Sequence, residues 1–196
     1  MSNNRLINED SLAISRHLSK TTFGEHTMLL YQDISSLREI CSSYSKESIQ
    51  SKNNAIVILY HYDTRTSLLN ALKEFDIDVD TFEADRSLLI RDADEILFRP
   101  DLASFIQYIK SLQLLAIKFG KNGVDIVIDM GLFQHFGKEK ELAKYEEALN
   151  NVATSPGSRS SIVCCYHDND VKGLDRDIME DLHKSHLTSY VVKEEQ

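Results

Sequence analysis

The sequence has no tryptophan, only two prolines and three cysteines in 196 residues, and no long apolar run. A membrane-spanning helix needs roughly 20 apolar residues in succession, so none is expected. The opening stretch, Met1-Ser-Asn-Asn-Arg-Leu-Ile-Asn-Glu-Asp10, lacks the apolar core of a signal peptide. Two of the three cysteines are adjacent, Cys164 and Cys165, which is not the even, spaced framework of a secreted disulfide scaffold. A reducing cytoplasm is the expected setting. Positive charge is also scarce: 22 Lys and Arg stand against 31 Asp and Glu, a net charge of -9. That balance argues against a nucleic-acid footprint and against attraction to anionic membranes.

What is present is a repeating alternation of strand-like and helix-like segments. Asn54-Ala-Ile-Val-Ile-Leu-Tyr-His-Tyr-Asp63 reads as a strand buried on both faces that ends in aromatic and ionisable side chains. Further strands are expected at His26–Tyr31, Leu88–Ile90, Val124–Asp129, Ser161–Tyr166 and Leu187–Val192. Between them run helical patterns: one from about Ile34 capped by Asp33, one capped by Thr64, one opened by Pro100 and Asp101, one over Lys138–Val152 and one over Leu174–Lys184. This order calls for a three-layer α/β/α domain over residues 25–196, with a mostly parallel sheet of about six strands and right-handed crossovers. Residues 1–24 are polar, with scattered Leu12, Ile14 and Leu18, and read as a frayed helix or an arm ordered on binding, with disorder as the plainer reading.

In open parallel sheets ligands bind beyond the strand carboxyl ends. Polar groups recur there: Tyr31; Tyr60, His61 and Asp63; Asp129; then Tyr166 and His167. A phosphate loop is excluded after the second strand, because Tyr60-His-Tyr-Asp-Thr-Arg-Thr66 has no glycine with which to wrap phosphates. Gly131-Leu-Phe-Gln-His-Phe-Gly-Lys-Glu139 has one residue too many between its glycines, and Glu139 stands where magnesium binding needs a hydroxyl. Asp129 is accordingly expected to anchor loops. Cys164, Cys165, His167, Asp168 and Asp170 match no standard zinc spacing, so the two cysteines are read as core thiols, one on each sheet face, and no metal or cofactor is expected. No Gly-x-Ser-x-Gly elbow or basic neighbour announces a nucleophile. Tyr145-Glu146-Glu147 reads as the solvated face of a helix, and His186 as a helix terminator.

The order of several short pieces resembles the MEDS sensory-domain family, which is similar in fold to RecA and KaiC ATPases but lacks their phosphate loop. The pieces are His26-Thr-Met-Leu-Leu-Tyr31, the strand Ala55–Tyr60 before Leu72-Lys-Glu-Phe-Asp-Ile-Asp-Val79, Tyr145-Glu-Glu-Ala-Leu-Asn150, Cys165-Tyr166, and His186 before the last strand. The likeness spans about residues 26–192. It implies signal sensing, with a small organic ligand or a signalling protein as partner, and it adds His26, Glu146 and His186 to the candidate ligand-binding residues. The sequence departs from the family where it offers Phe133 and Phe136 in place of a tryptophan, and Leu187 in place of a proline.

The expected function is therefore a non-catalytic sensory domain with a RecA-like fold. Two alternatives stand beside it: a metal-dependent enzyme using His61, Asp63, Asp129 and His167, and a pure protein-interaction module. A homo-oligomer is compatible with each.

Overall fold

The computed structural model describes residues 5–98 and 101–193. In chain order the elements are β1 (Arg5–Glu9), α1 (Ser11–Leu18), β2 (His26–Tyr31), α2 (Ile34–Gln50), β3 (Ala55–Tyr60), α3 (Arg65–Glu74), α4 (Val79–Ala84), β4 (Leu88–Asp92) and α5 (Ala93–Leu97). Then follow α6 (Leu102–Lys118), β5 (Val124–Asp129), α7 (Leu132–His135), α8 (Glu139–Ala153), β6 (Ser160–His167), α9 (Asp168–Lys172), α10 (Arg176–Ser185) and β7 (Thr188–Val192). The strands form one sheet in the order β1-β7-β2-β6-β5-β3-β4, and every pairing is parallel.

Local chemistry sets the helix starts. Asp33, Thr64 and Asp101 each accept a hydrogen bond from the backbone N–H three residues on, as an N-cap must. Pro100, expected to open α6 with Asp101, lies outside the described residues. The expected caps at Asp33 and Thr64 are thus present, and α2 begins at the expected Ile34.

Alternation along the central strands divides the core in two. In β3, Ala55, Val57 and Leu59 face one cluster while Ile56 and Ile58 face the other. In β6, Ile162, Cys164 and Tyr166 join the first cluster and Val163 and Cys165 the second, so the adjacent cysteines do point into opposite layers. Helices α1 to α4 contribute to the second cluster and α5 to α10 to the first. Uniform right-handed crossovers explain the division. The connections that advance from β1 towards β4 carry α1 to α4, and those that return towards β7 carry the rest.

There are seven strands, one more than expected, because the segment read as a polar arm supplies β1 and α1. Asp10 caps α1, and Ile14 and Leu18 bury against α2 and the sheet. β1 is held mainly by its backbone ladder to β7, from Arg5 opposite Thr188 to Glu9 opposite Val192. Its side chains are largely exposed, so apolar patterning carries no sign of it.

Cys41, Cys164 and Cys165 are free and buried. Burial, with Asp129 and Asp63 nearby, pushes the Cys41 thiol up to about 12. Only the thiolate reacts. A thiol reagent at pH 8 is therefore expected to label none of the three in the native protein and all three after unfolding. Native labelling at the rate of a free thiol would contradict so closed a core.

Candidate functional site

Adjacent strands β2 and β6 send their following helices to opposite faces of the sheet, and so do β3 and β5. Such divergences open a crevice at the carboxyl ends, here across the four neighbouring strands β2, β6, β5 and β3. The order corrects one expectation: the central divergence lies at β2 and β6, not at β3 alone, where the phosphate-loop position was sought. The β2–α2 junction, Tyr31-Gln32-Asp33-Ile34, has no glycine either, so neither divergence offers a phosphate cradle.

Asp129, at the end of β5, ties the rim together. Its carboxylate accepts the Tyr62 N–H at 2.9 Å and the Gly131 N–H at 3.1 Å, fastening the β3–α3 loop to the β5–α7 turn. Burial raises its pKa, and the two N–H groups and His61 oppose that rise. The Tyr62 ring packs on Gly131: a Cβ at that position would sit 2.2 Å from Tyr62 Cε2, so a larger residue there would push the ring aside.

Around this latch lies an aromatic and imidazole wall. Tyr31 meets His167 edge-on at 5.4 Å, Tyr62 meets His167 at 6.1 Å, and His61 packs on Tyr62 at 4.8 Å and on His135 at 5.1 Å. His61 Nδ1 pairs with Asp94 Oδ1 at 2.8 Å. His61 Nε2, the Tyr31 hydroxyl and Asp170 Oδ2 are all buried without a hydrogen-bond partner. Burial, then Asp129, Cys165 and Asp170, push the Tyr31 phenol far above its ordinary range, so it remains a donor. His167 Nδ1 accepts the Asn169 N–H and caps α9. Asp63 lies outside the wall, held by Arg38 through bonds of 2.7 and 2.6 Å. Tyr60 turns to the other side of β3, where with Asp63, Asp129, Cys41 and Cys165 it lines a cavity of about 20 Å³.

The remaining candidates are elsewhere. His26 opens β2, Glu146 sits on α8, Tyr166 is near the end of β6, and His186 follows α10; all four are buried between the sheet and the α8/α10 layer. Glu146, expected on a solvated face, is 0% exposed. His26 Nε2 and His186 Nε2 each lie 3.1 Å from Glu146 Oε2, and the two rings are 4.2 Å apart. The Tyr166 hydroxyl donates to Glu146 Oε1. Cys164 joins them, its Sγ 3.3 Å from His26 Nε2. Burial lowers the His26 pKa, with His186 adding to that. Burial alone would raise Glu146, but the two histidines more than offset it and hold the carboxyl well below the usual range. Cys164 was passed over by sequence reasoning as a core thiol. Its neighbours His26, Glu146 and His186 come from remote parts of the chain, and no local spacing connects them.

The metal-enzyme alternative gains nothing from this geometry. Asp63 is occupied by Arg38, Asp129 by two backbone N–H groups and His61 by Asp94. Among the described residues, the grouping of three or more ligand-type side chains is His26, Glu146, Cys164 and His186, away from that set. No helix among the described residues is long and apolar enough to cross a membrane.

Comparison with known proteins agrees with the topology. The structure is similar to that of a KaiC-like protein from the hyperthermophilic archaeon Pyrococcus horikoshii OT3, with a TM-score of 0.55 and 14% sequence identity. The match covers 74% of this chain and 62% of that protein, so the fold is RecA-like and spans rather less than two thirds of its neighbour's length. No curated protein matches the sequence. The family described as "MEthanogen/methylotroph, DcmR Sensory domain", abbreviated MEDS, matches residues 25–187. With the phosphate loop missing from the crevice and the family pattern covering most of its length, the chain belongs to the MEDS family of sensory domains.

Proposed function

We propose that the protein is a non-catalytic sensory domain that binds a small organic molecule at the carboxyl ends of β2, β6, β5 and β3 and passes its occupancy to a signalling partner. The observation that carries this reading is a trio of buried polar atoms without partners, His61 Nε2, Tyr31 Oη and Asp170 Oδ2, contributed by the β3–α3 loop, the end of β2 and helix α9. Buried polar groups are normally satisfied, and an orphan costs about 1–3 kcal/mol. A ligand that supplies a hydrogen-bond donor to the imidazole and an acceptor to the phenol would remove that cost. The acidic residues Asp94, Asp129 and Asp170 around the wall favour a neutral or cationic molecule over a phosphate. Tyr62, latched on Asp129 and Gly131, covers the wall and must move to admit it. That displacement is the proposed signal. The hydrogen-bond partners of His61 and His167 among the described residues, Asp94 and the Asn169 N–H, are no nucleophiles, which suits sensing, and three buried free thiols suit a cytoplasmic setting.

The test is a thermal-shift screen of the purified chain against metabolites and nucleotides. A ligand at a hundredfold excess over its Kd contributes about 2.7 kcal/mol. For a chain of this size that is an expected rise in Tm of roughly 5–11 °C. The Tyr31→Phe and His61→Ala variants are expected to lose the shift. Robust turnover of any substrate, or an undiminished shift in both variants, would sink the proposal.

A further inference from the structure

Four donor atoms converge in the buried layer beneath α8: His26 Nε2, His186 Nε2, Glu146 Oε2 and Cys164 Sγ, all within 4.8 Å of one another. We propose that they bind one divalent transition metal, zinc by preference, in a closed four-ligand site that is separate from the crevice and independent of what the crevice binds.

Three observations point the same way. The first is orientation. His26 Nδ1 lies 2.8 Å from the Ser185 carbonyl and His186 Nδ1 lies 2.7 Å from the Leu182 carbonyl. A carbonyl can only accept, so both Nδ1 atoms carry the hydrogen and both neutral rings present a lone pair at Nε2. Metal-bound histidines are held in this way, by a carbonyl or carboxylate on the opposite ring nitrogen. Tyr166 plays the matching part for Glu146, donating to Oε1 and leaving Oε2 for the centre.

The second is what those atoms meet. Two imidazole lone pairs point at the carboxylate oxygen Oε2, an acceptor facing acceptors, and Glu146 Oε2 and His186 Nε2 have no hydrogen-bond partner. Something positive must lie between them. One proton on one ring would serve Glu146 and the Cys164 thiol could give its hydrogen to the other ring, so hydrogen bonds alone satisfy the atoms only in pairs. A cation serves all four at once. In a tetrahedron with zinc–ligand bonds of about 2.0–2.3 Å the ligand atoms are about 3.3–3.8 Å apart. Three of the six distances between these atoms are 3.1, 3.1 and 3.3 Å and the rest lie within 4.8 Å, so small shifts of the side chains reach that spacing.

The third is charge. A dication, the Glu146 carboxylate and a Cys164 thiolate sum to zero, with two neutral imidazoles completing the set. Burial forbids an uncompensated charge here, since all four residues are at most 1% exposed. Without a cation the same burial keeps Cys164 a thiol. On binding, the sulfur gives its proton to solvent and the S–metal bond forms, with no change of oxidation state. Mixed sulfur, nitrogen and oxygen ligation with no open position is a structural zinc arrangement. It would tie β2, β6, α8 and the α10–β7 junction together.

The experiment uses the full chain purified without added metal. Elemental analysis is expected to find about one zinc per chain. After chelator-assisted unfolding and refolding with cobalt(II), tetrahedral d–d bands and a near-ultraviolet thiolate-to-cobalt band are expected. Cys164→Ser should lose the thiolate band. Tyr166→Phe should weaken cobalt binding by roughly 10–100-fold, the usual effect of removing an outer hydrogen bond to a ligand. The His61→Ala/His167→Ala double variant should leave stoichiometry and spectrum unchanged. A folded wild-type chain that holds no metal as purified, and takes up neither zinc nor cobalt on refolding, overturns the proposal, as does a thiolate band that survives in Cys164→Ser. Should Cys164→Ser fail to fold, the wild-type cobalt spectrum decides alone: the band present supports the site, the band absent rejects it.

Discussion

Glu146→Ala is expected to lower the stability of the protein by about 3–5 kcal/mol, the cost of breaking a buried ionic cluster by removing one partner. The mutation removes the carboxylate that faces both His26 and His186, leaves the Tyr166 hydroxyl without its acceptor, and opens a cavity where a fully buried side chain had been. For a chain of this length the Tm should fall by roughly 6–20 °C. Total stabilities of domains are about 5–15 kcal/mol, so the variant sits near the edge of folding. Glu146→Gln is the informative companion. It keeps an acceptor for Tyr166 and nearly the same volume but discards the charge, so any loss it shares with Glu146→Ala measures the electrostatic part. Urea unfolding with both variants checks the result. A cost below about 1 kcal/mol for Glu146→Ala, the range of an exposed ion pair, would mean the carboxylate is solvated after all.

The second large effect is expected at Asp129. Asp129→Ala strips the acceptor from two backbone N–H groups, those of Tyr62 and Gly131. Each buried donor left unpaired costs about 1–3 kcal/mol, and loop relaxation returns part of that, so a loss of roughly 2–4 kcal/mol is expected. Asp129→Asn should do little better. Both carboxylate oxygens accept, and an amide would turn its NH₂ towards one of the two N–H donors. Hydrogen exchange gives the sharper readout, because the Tyr62 and Gly131 amides should lose protection together while those of β3 and β6 keep theirs. Protection unchanged at Tyr62 would show that the loop is held by its ring on Gly131 and not by Asp129.

The sheet was legible because its central strands carry apolar residues on both faces, which only a covered parallel sheet accommodates. Six strands and the helix caps at Asp33 and Thr64 follow from that signal. β1 was not legible, since a strand fastened mainly by backbone bonds to β7 leaves almost no mark in side-chain pattern. The crevice was partly legible: polar residues ending apolar runs placed Tyr31, His61, Asp129 and His167 on one rim, yet spacing could not tell that Asp63 is occupied by Arg38 or that Tyr62 closes the wall. Glu146 left a readable trace that was overlooked. It stands four residues after Leu142 and three before Leu149, on the same helical stripe, and an acid on an apolar stripe implies a buried partner. The partners themselves were beyond sequence reasoning, because His26 and Cys164 meet across 138 positions of chain.

The two strands at the sheet margins have a consequence for self-association. β1 and β4 are each five residues long, and each exposes an ionic or polar side chain along its length: Arg5 and Asn8 on one, Arg91 on the other. Short, charged margins resist annealing to a second sheet, which is how soluble proteins avoid runaway strand addition. Copies of this chain should therefore not stack margin to margin. Helix α6 with its neighbouring turn is the better place to look for assembly, since Leu114, Leu115, Ile117 and Phe119 present four large apolar side chains to water within six residues.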